Sequence, residues 1–412
     1  MRILMMSPYY PPEQISSSHM DRELDAALLE AGFTLVNHVP MPTRGVSDEV
    51  RRAYRGRRRE ELAEGRIVIH RFPMFREGRN PLLRALRYVL VNLTQYIRGS
   101  RTKDAALIFA GSTPPTQGLL CAMVRRRLKV PFVYNLQDVF PDSLVNAGMT
   151  QRGSLIWKVG RWIEDRTYRS ADRIIVISES MKKNIIEKGV PEEKIAVVPN
   201  WIDVEAVKPV AREDNRLFEE LGIARDRFIV VYAGNFGATQ GADVVLRAAA
   251  LMQGEADVQF VILGGGAEFA QAKEAAQGME NVVIGGLLPQ ERVAEVYSLG
   301  DAALVTCKPG VGSSGMPSKT WSIMACDTPI VASFDEDSEL AEILRRSGAG
   351  TCVPAGDAEA LAQELSARAA RWREGERAVS AGRAYVMANA SREACTQQYV
   401  DVMRAVLEER NE

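Results

Sequence analysis

Histidine and cysteine are scarce in this sequence, and neither is arranged for chemistry. The three histidines (His19, His38, His70) lie far apart. The five cysteines (Cys121, Cys307, Cys326, Cys352, Cys395) are scattered, odd in number and form no CxxC pair. A zinc site and a disulfide framework are therefore not expected. No metal cofactor is expected, and the compartment reads as reducing, hence cytoplasmic. Charge of one sign is also missing: the formal net charge is -1, so nothing global draws the chain to nucleic acid. No apolar run approaches the ~20 residues of a membrane helix. The opening residues Met1 to Met6 meet prolines too soon for a signal peptide and read as a first strand. No G-x-G-x-x-G follows that strand, which runs instead into Pro8-Tyr9-Tyr10-Pro11-Pro12. That weighs against a dinucleotide-dependent oxidoreductase. Short-period repeats and low-complexity tracts are absent too.

What is present is a globular composition, 46% hydrophobic and 25% charged, over 412 residues, enough for two domains. Short runs rich in Val and Ile alternate with stretches of helical period. Examples are 33–39, 105–110, 131–136 and 173–178 in the first half, and 228–233, 258–263, 302–306 and 329–332 in the second. Runs apolar throughout suit strands covered on both faces, and their alternation with helices implies parallel sheets with crossover connections. The pattern ends near Pro199-Asn200-Trp201-Ile202-Asp203 and restarts at Phe228. The expected fold is α/β, two Rossmann-like doubly wound parallel-sheet domains at 1–205 and 206–390. A C-terminal helix at about 391–412 packs back on the first. Facing domains of this kind would join their ligand crevices, at the carboxyl ends of the strands, into one interdomain cleft.

Four stretches then point to a family. They are Ser7-Pro8-Tyr9-Tyr10-Pro11-Pro12-Glu13; Trp162 to Ser178, continuing to Pro199-Asn200-Trp201-Ile202-Asp203; Tyr232-Ala233-Gly234-Asn235-Phe236-Gly237 with Gln240-Gly241; and Pro317-Ser318-Lys319 through Met324-Ala325 and Pro329-Ile330-Val331-Ala332. In this order and spacing the chain resembles, over nearly its whole length, the retaining family-4 glycosyltransferases of the GT-B fold. Among them it resembles those that extend lipid-linked surface polysaccharides such as O-antigen, capsule and exopolysaccharide. The resemblance implies transfer of a sugar from a nucleotide diphosphate sugar, by family habit a UDP sugar such as an N-acetylated hexosamine. The acceptor would be a saccharide or a polyprenyl-diphosphate-linked one, and the anomeric configuration would be retained without metal. It also makes the first domain the acceptor domain and the second the donor domain.

A leaving diphosphate needs backbone N–H groups or a cation. The segment Lys308 to Lys319 follows a strand and carries three glycines and three serines. Small residues let backbone approach a phosphate. Ser313, Ser314, Gly315, Met316, Pro317 and Ser318 are donor-binding candidates. So is Lys319, whose alternative is a solvated surface lysine. Asn235, Phe236, Gly237 and Gln240 form the loop after the first strand of the second domain. Asn235 and Gln240 stand where many relatives have an arginine and a lysine. Gly264, Gly265 and Gly266 match the family's glycine loop near the nucleoside. Gly286 and Leu287 match the place where relatives hold the base through main chain. Ser314 and Ser322 stand where many members carry two glutamates, the second a ribose ligand; a serine hydrogen-bonds more weakly.

On the acceptor side, Glu13, Ser17, Ser18 and Arg22 surround the loop into the first helix, with Ser18 alternatively its cap. His19 and Asp138 are the catalytic candidates. Asp138 ends a strand, as a carboxylate in such a crevice should, and would orient or accept from the nucleophilic hydroxyl; alternatively it binds N–H groups of its own turn. Arginines at 51–59 and 125–127, and a stripe of Leu82, Leu86, Val89, Leu90, Leu93 and Ile97 with Arg84, Arg87 and Arg98 nearby, fit peripheral binding to the cytoplasmic face of the plasma membrane. For the stripe alone, a place in the core is the leading expectation. Two other functions stay open: a nucleotide-sugar 2-epimerase, and a catalytically inactive nucleotide-sugar sensor.

Overall fold

In the computed structural model the described residues are 1–13, 18–76, 80–146, 148–312, 316–377 and 380–410. The chain divides into two compact units, Met1–Pro199 with Cys395–Glu412, and Asn200–Ala394. The first contains strands β1 (Arg2–Met5), β2 (Thr34–Pro40), β3 (Arg59–Leu62), β4 (Ile67–Phe72), β5 (Ala105–Gly111), β6 (Phe132–Leu136), β7 (Arg173–Val176) and β8 (Ile195–Val197). Its helices are α1 (Ser18–Glu30), α2 (Asp48–Ala53), α3 (Pro81–Gly99), α4 (Gln117–Leu128), α5 (Asp142–Asn146), α6 (Leu155–Ser170) and α7 (Glu179–Glu187). The second unit contains β9 (Phe228–Asn235), β10 (Val258–Gly265), β11 (Val282–Gly286), β12 (Ala302–Thr306), β13 (Ile330–Phe334) and β14 (Gly350–Pro354). Between and after them run α8 (Leu217–Glu220), α9 (Asp243–Leu251), α10 (Phe269–Ala275), α11 (Val293–Tyr297), α12 (Lys319–Ala325), α13 (Glu339–Ser347), α14 (Ala358–Arg373) and α15 (Gly382–Asn389). The last helix, α16 (Arg392–Glu409), begins in the second unit and continues into the first.

The first sheet has the order β3-β4-β2-β1-β5-β6-β7-β8 and the second β11-β10-β9-β12-β13-β14. Every pairing is parallel except β3 with β4. Crossovers place helices on both faces, so successive residues of one strand enter different cores. Along β9, Ile229, Val231 and Ala233 pack into one cluster and Phe228, Val230 and Tyr232 into the other. Side-chain caps start several helices: Asn80 accepts from Leu82 and Leu83 N–H at α3, Ser154 from Trp157 N–H at α6, and Asp357 from Ala360 N–H at α14.

In the arginine run at 51–59, Arg51 and Arg52 lie in α2, Arg59 lies in the edge strand β3, and Arg55, Arg57 and Arg58 stand exposed between them; Arg51 pairs with Asp48 and Arg59 with Glu61. One expectation needs correction. The leucine stripe of α3 is not core: Leu82, Leu86, Val89, Leu93 and Ile97 all lie exposed.

His38 and His70 face each other across β2 and β4 and stack at 5.1 Å between ring centroids. Burial pushes His38 down to about 4, and His70 and Arg98 add repulsion to its charged form. The native ring stays neutral, so below the ordinary value of 6.5 only the unfolded chain takes up this proton. Stability from this site is intact above that pH, falls as pH drops toward about 4, and then levels. Asp25, pushed up to about 7 by burial, acts with the opposite sign in an overlapping window, so the histidine is read by difference. His38→Gln is expected to remove about 3 kcal/mol of the stability change between pH 7 and pH 4, measured as urea unfolding of both proteins at each pH.

Candidate functional site

The carboxyl ends of β9, β10 and β11 put three glycines in register: Gly264 pairs with Gly234 on one side and Gly286 on the other. This brings Asn235, Gly264, Gly265, Gly266 and Gly286 together, and Leu287 extends the row as an exposed side chain. The loop 236–241 is tied to the end of β12 by Thr306 Oγ1 donating to Gln240 O (2.7 Å) and Lys308 N–H donating to Thr239 O (3.0 Å). Asn235 is exposed there, and Gly237 and Gln240 are half-buried. Phe236 is corrected. It is 1% exposed and its ring packs edge-on between Tyr232 and Phe269, so its side chain belongs to the core. The ring also lies against Gly264, where a Cβ would come 2.5 Å from Phe236 Cε2, and the Phe236 N–H donates to Gly265 O.

Lys319 begins α12, and its ammonium lies 4.1 Å from the centre of the Tyr232 ring. That nitrogen is buried and, among the described residues, has no hydrogen-bond partner. Burial pushes its pKa down to about 8. The surface-lysine alternative is thereby excluded. A side chain at Gly234 would place its Cβ 3.1 Å from the ammonium, so the lysine sits against the glycine row. Ser322 follows one turn along α12 and is half-buried; Met316 and Pro317 are half-buried and Ser318 is exposed. Ser313, Ser314 and Gly315 lie outside the described residues, as does Ser17.

The expected use of backbone donors from the 308–319 segment is reduced by a residue not singled out from the sequence. The Asp335 carboxylate accepts from Gly310 N–H (3.0 Å) and Gly312 N–H (2.7 Å). Gly310 has φ +80, which turns the chain so that both groups converge on one anion. These two N–H groups hold the loop rather than a ligand. Asp335 follows β13, so the rule that flagged Asp138 at its strand end applied here too. Tyr232 carried no such signal, being one more apolar strand residue.

In the first unit, Glu13 is also corrected. It is 2% exposed, and its Oε1 accepts from Thr43 N–H (2.8 Å) and Arg44 N–H (3.0 Å). Its visible work is to anchor the loop after β2. Ser18 and His19 stand in the first turn of α1, and Arg22 is exposed on the same helix. Deeper in that helix Asp25, unforeseen, accepts a 2.7 Å bond from the Tyr10 hydroxyl. Asp138 is exposed just beyond β6, and among the described residues no hydrogen bond ties its carboxylate to the turn. Its loop is held on both sides. Gln137 N–H donates to Ser112 Oγ (3.1 Å), and Lys188 joins Asp142 (2.8 Å) to the buried Glu164 (2.9 Å). Arg161 and Tyr168, within the second of the four family-like stretches or beside it, complete this network.

Residues 23–201 match the glycosyl transferase 4-like domain, and residues 227–370 match the glycosyl transferases group 1 domain. The chain belongs to the glycosyltransferases that join these two domains. It is 30% identical over 266 residues to the probable glycosyltransferase WbjE of Pseudomonas aeruginosa, covering 64% of this chain and 66% of that protein. It is 28% identical over 235 residues to the putative colanic acid biosynthesis glycosyl transferase WcaI of Escherichia coli, covering 56% of this chain and 58% of that one. The chain thus spans under two thirds of the length of either relative. The crystal structure of Anabaena Alr3699/HepE in complex with UDP superimposes with a TM-score of 0.67 at 16% identity, covering 98% of this chain and 100% of that chain. The fold is accordingly GT-B, with two parallel-sheet α/β domains.

Replacing Asp335 by Ala is expected to speed hydrogen exchange of the Gly310 and Gly312 amides about tenfold or more, since bonds to a charged group contribute about 1.5–3 kcal/mol each. Amides of β12 should keep their protection. Unchanged exchange at both glycines would show that Asp335 does not hold the loop.

Proposed function

We propose that the chain is a glycosyltransferase of cell-surface polysaccharide synthesis that takes its sugar from a nucleoside diphosphate sugar. The observation that carries this reading is the buried ammonium of Lys319 beside the glycine row, which among the described residues meets an aromatic face and no hydrogen-bonding partner. A cation desolvated without a hydrogen-bonding partner favours an incoming anion. The glycines leave main-chain groups uncovered for a nucleoside. The complex of HepE with UDP supports a uridine donor, and the colanic acid assignment of WcaI supports a polysaccharide acceptor. The domain pair and this anion-seeking lysine favour the transferase over an epimerase or a binding-only sensor.

In the proposed reaction the bond from the anomeric carbon to the diphosphate oxygen breaks, and a bond from that carbon to the acceptor oxygen forms on the same face. The acceptor proton passes to the departing phosphate. Lys319 stabilises the charge that develops there, Ser322 meets the ribose, and Asp138 orients the acceptor hydroxyl, with Ser18, His19 and Arg22 around the acceptor. No side-chain nucleophile and no metal enter this scheme, so positioning and charge stabilisation account for the rate. Among the described residues no helix is long and apolar enough to cross a membrane. The outward stripe of α3 and the exposed Arg84 beside it are proposed to hold the N-terminal unit on the cytoplasmic face of the plasma membrane, where lipid-linked acceptors reside.

Thermal shift against a panel of nucleotide sugars tests the donor site. A UDP sugar is expected to raise the melting temperature of the wild type by mass action, and Lys319→Ala is expected to lose that response. If no nucleotide sugar shifts the wild type, the donor reading of 308–319 fails.

The same site predicts a pH dependence. Lys319 is protonated below about 8 and neutral above it. Donor affinity should therefore weaken roughly tenfold between pH 7.5 and pH 9. Calorimetric titration checks this; a profile as flat as that of Lys319→Ala would remove the lysine from the site.

A further inference from the structure

A cavity of about 320 Å³ opens in the N-terminal unit between α6 and the loop after β6. Its walls are Phe140, Leu155, Ile156, Val159, Gly160 and Ile163, with no polar side chain among them. Gly160 sets its shape. A Cβ there would lie 2.8 Å from Pro141 Cβ and 2.9 Å from Phe140 Cε1, so helix and loop meet with nothing between them. The volume sits at the small end of ligand pockets. A wall without a hydrogen-bonding side chain cannot orient a sugar or a nucleotide, but it suits a hydrocarbon chain.

The rim indicates where such a chain comes from. Leu155, Ile156, Val159 and Trp162 each expose half or more of their surface. Exposed Arg152, Lys158 and Arg166 flank them, and the Arg166 guanidinium stands 5.6 Å from the centre of the Trp162 ring. On its other side α6 packs on α4, which packs on α3. Neither α3 nor α4 contains an acidic residue, and Arg84 of α3 and Arg126 and Arg127 of α4 are exposed, while Arg87 is buried and Arg125 pairs with Asp172. The apolar stripe of α3 and Met123 of α4 are exposed as well. Apolar helix faces set among cations match the boundary of an anionic bilayer. A protein partner would need acids to meet these cations and polar groups to fix its register, and the groove offers nothing for the second.

We propose that this groove receives an acyl chain of an anionic phospholipid when α3, α4 and α6 rest on a membrane. The proposal rests on the membrane reading above and adds a binding site that the stripe of α3 does not contain. Its functional consequence follows from sequence distance. Phe140 forms one wall, and Asp138, the proposed acceptor-orienting carboxylate, lies two residues earlier in the same loop. A chain in the groove would fix that loop where the lipid surface begins.

Photocrosslinking of the full chain tests this. Vesicles of phosphatidylcholine and phosphatidylglycerol, the latter carrying a mid-chain diazirine, are mixed with the protein, sedimented and irradiated. Peptide mapping should find adducts at Phe140 and within 155–163. Val159→Phe, which fills the groove at an exposed position, should still sediment but lose the Phe140 adduct. Its unfolding transition, followed by circular dichroism, should match the wild type. Adducts confined to α3 would overturn the groove and leave the membrane reading standing. Failure to sediment would overturn both. Equal sedimentation and labelling on vesicles with a diazirine phosphatidylcholine alone would overturn the choice of an anionic lipid.

Discussion

A parallel strand pair is joined by a crossover of a dozen or more residues, so a sheet built this way is covered on both faces. That burial consumes nearly every side chain of β9, β10 and β12. Polar chemistry is left to the strand ends, where the backbone leaves the sheet. The alignment of Gly234, Gly264 and Gly286 is one result: register fixed by the core places three residues without side chains at one edge. The position of Asp138 beyond β6 is another. Its loop is steadied through Asp142, Lys188 and Glu164, a network with no part in the proposed chemistry but a direct part in where the carboxylate stands.

The same constraint explains what the sequence made legible. Runs such as Phe228 to Ala233 are apolar at every position because both faces are buried, and strand after strand was readable on that account. The edge strand β3 was not, since Arg59-Glu60-Glu61-Leu62 carries three charges and meets only one neighbour. The stripe of α3 has the period of a helix lying on a core. Period alone cannot distinguish a stripe facing the sheet from one facing outward. Arg87, Val91 and Gln95 on the same helix are buried instead, and two of these are polar: Arg87 donates to Thr43 Oγ1 and Phe75 O, and Gln95 to Ser7 O and His38 O. Polar side chains turned inward for main-chain partners left the leucines outside. The surroundings of Phe236 and Glu13 were not legible for the opposite reason. Each sits in a loop that looks free in sequence, and each is taken up by the fold, one by aromatic packing and the other by two N–H groups.

Lys319 shows the difference between a motif and a site. Its place after Pro317-Ser318 suggested a phosphate ligand, but its environment could not be read from the chain. A buried cation without a hydrogen-bonding partner costs several kcal/mol, while a desolvated cation–π contact returns about 2 kcal/mol. The aromatic face of Tyr232 therefore compensates the charge only in part. The imbalance is consistent with the depressed pKa, whose cause is burial. An arriving diphosphate would supply charge and hydrogen bonds to this ammonium together, so the depressed pKa and the proposed affinity for an anion have a common origin in burial.

Asp335 sharpens that argument. A loop rich in glycine next to a phosphate site invites the assumption that all its N–H groups serve the ligand. Two of them already meet a carboxylate, and an anion so placed disfavours a second anion on the same donors. On the proposed donor reading, and within the described part of the segment, the burden of stabilising a leaving diphosphate would shift from the Gly310–Gly312 turn toward Lys319. One correctly placed, poorly compensated cation does more at such a site than several main-chain dipoles already in use, because only the cation gains a partner when the ligand arrives.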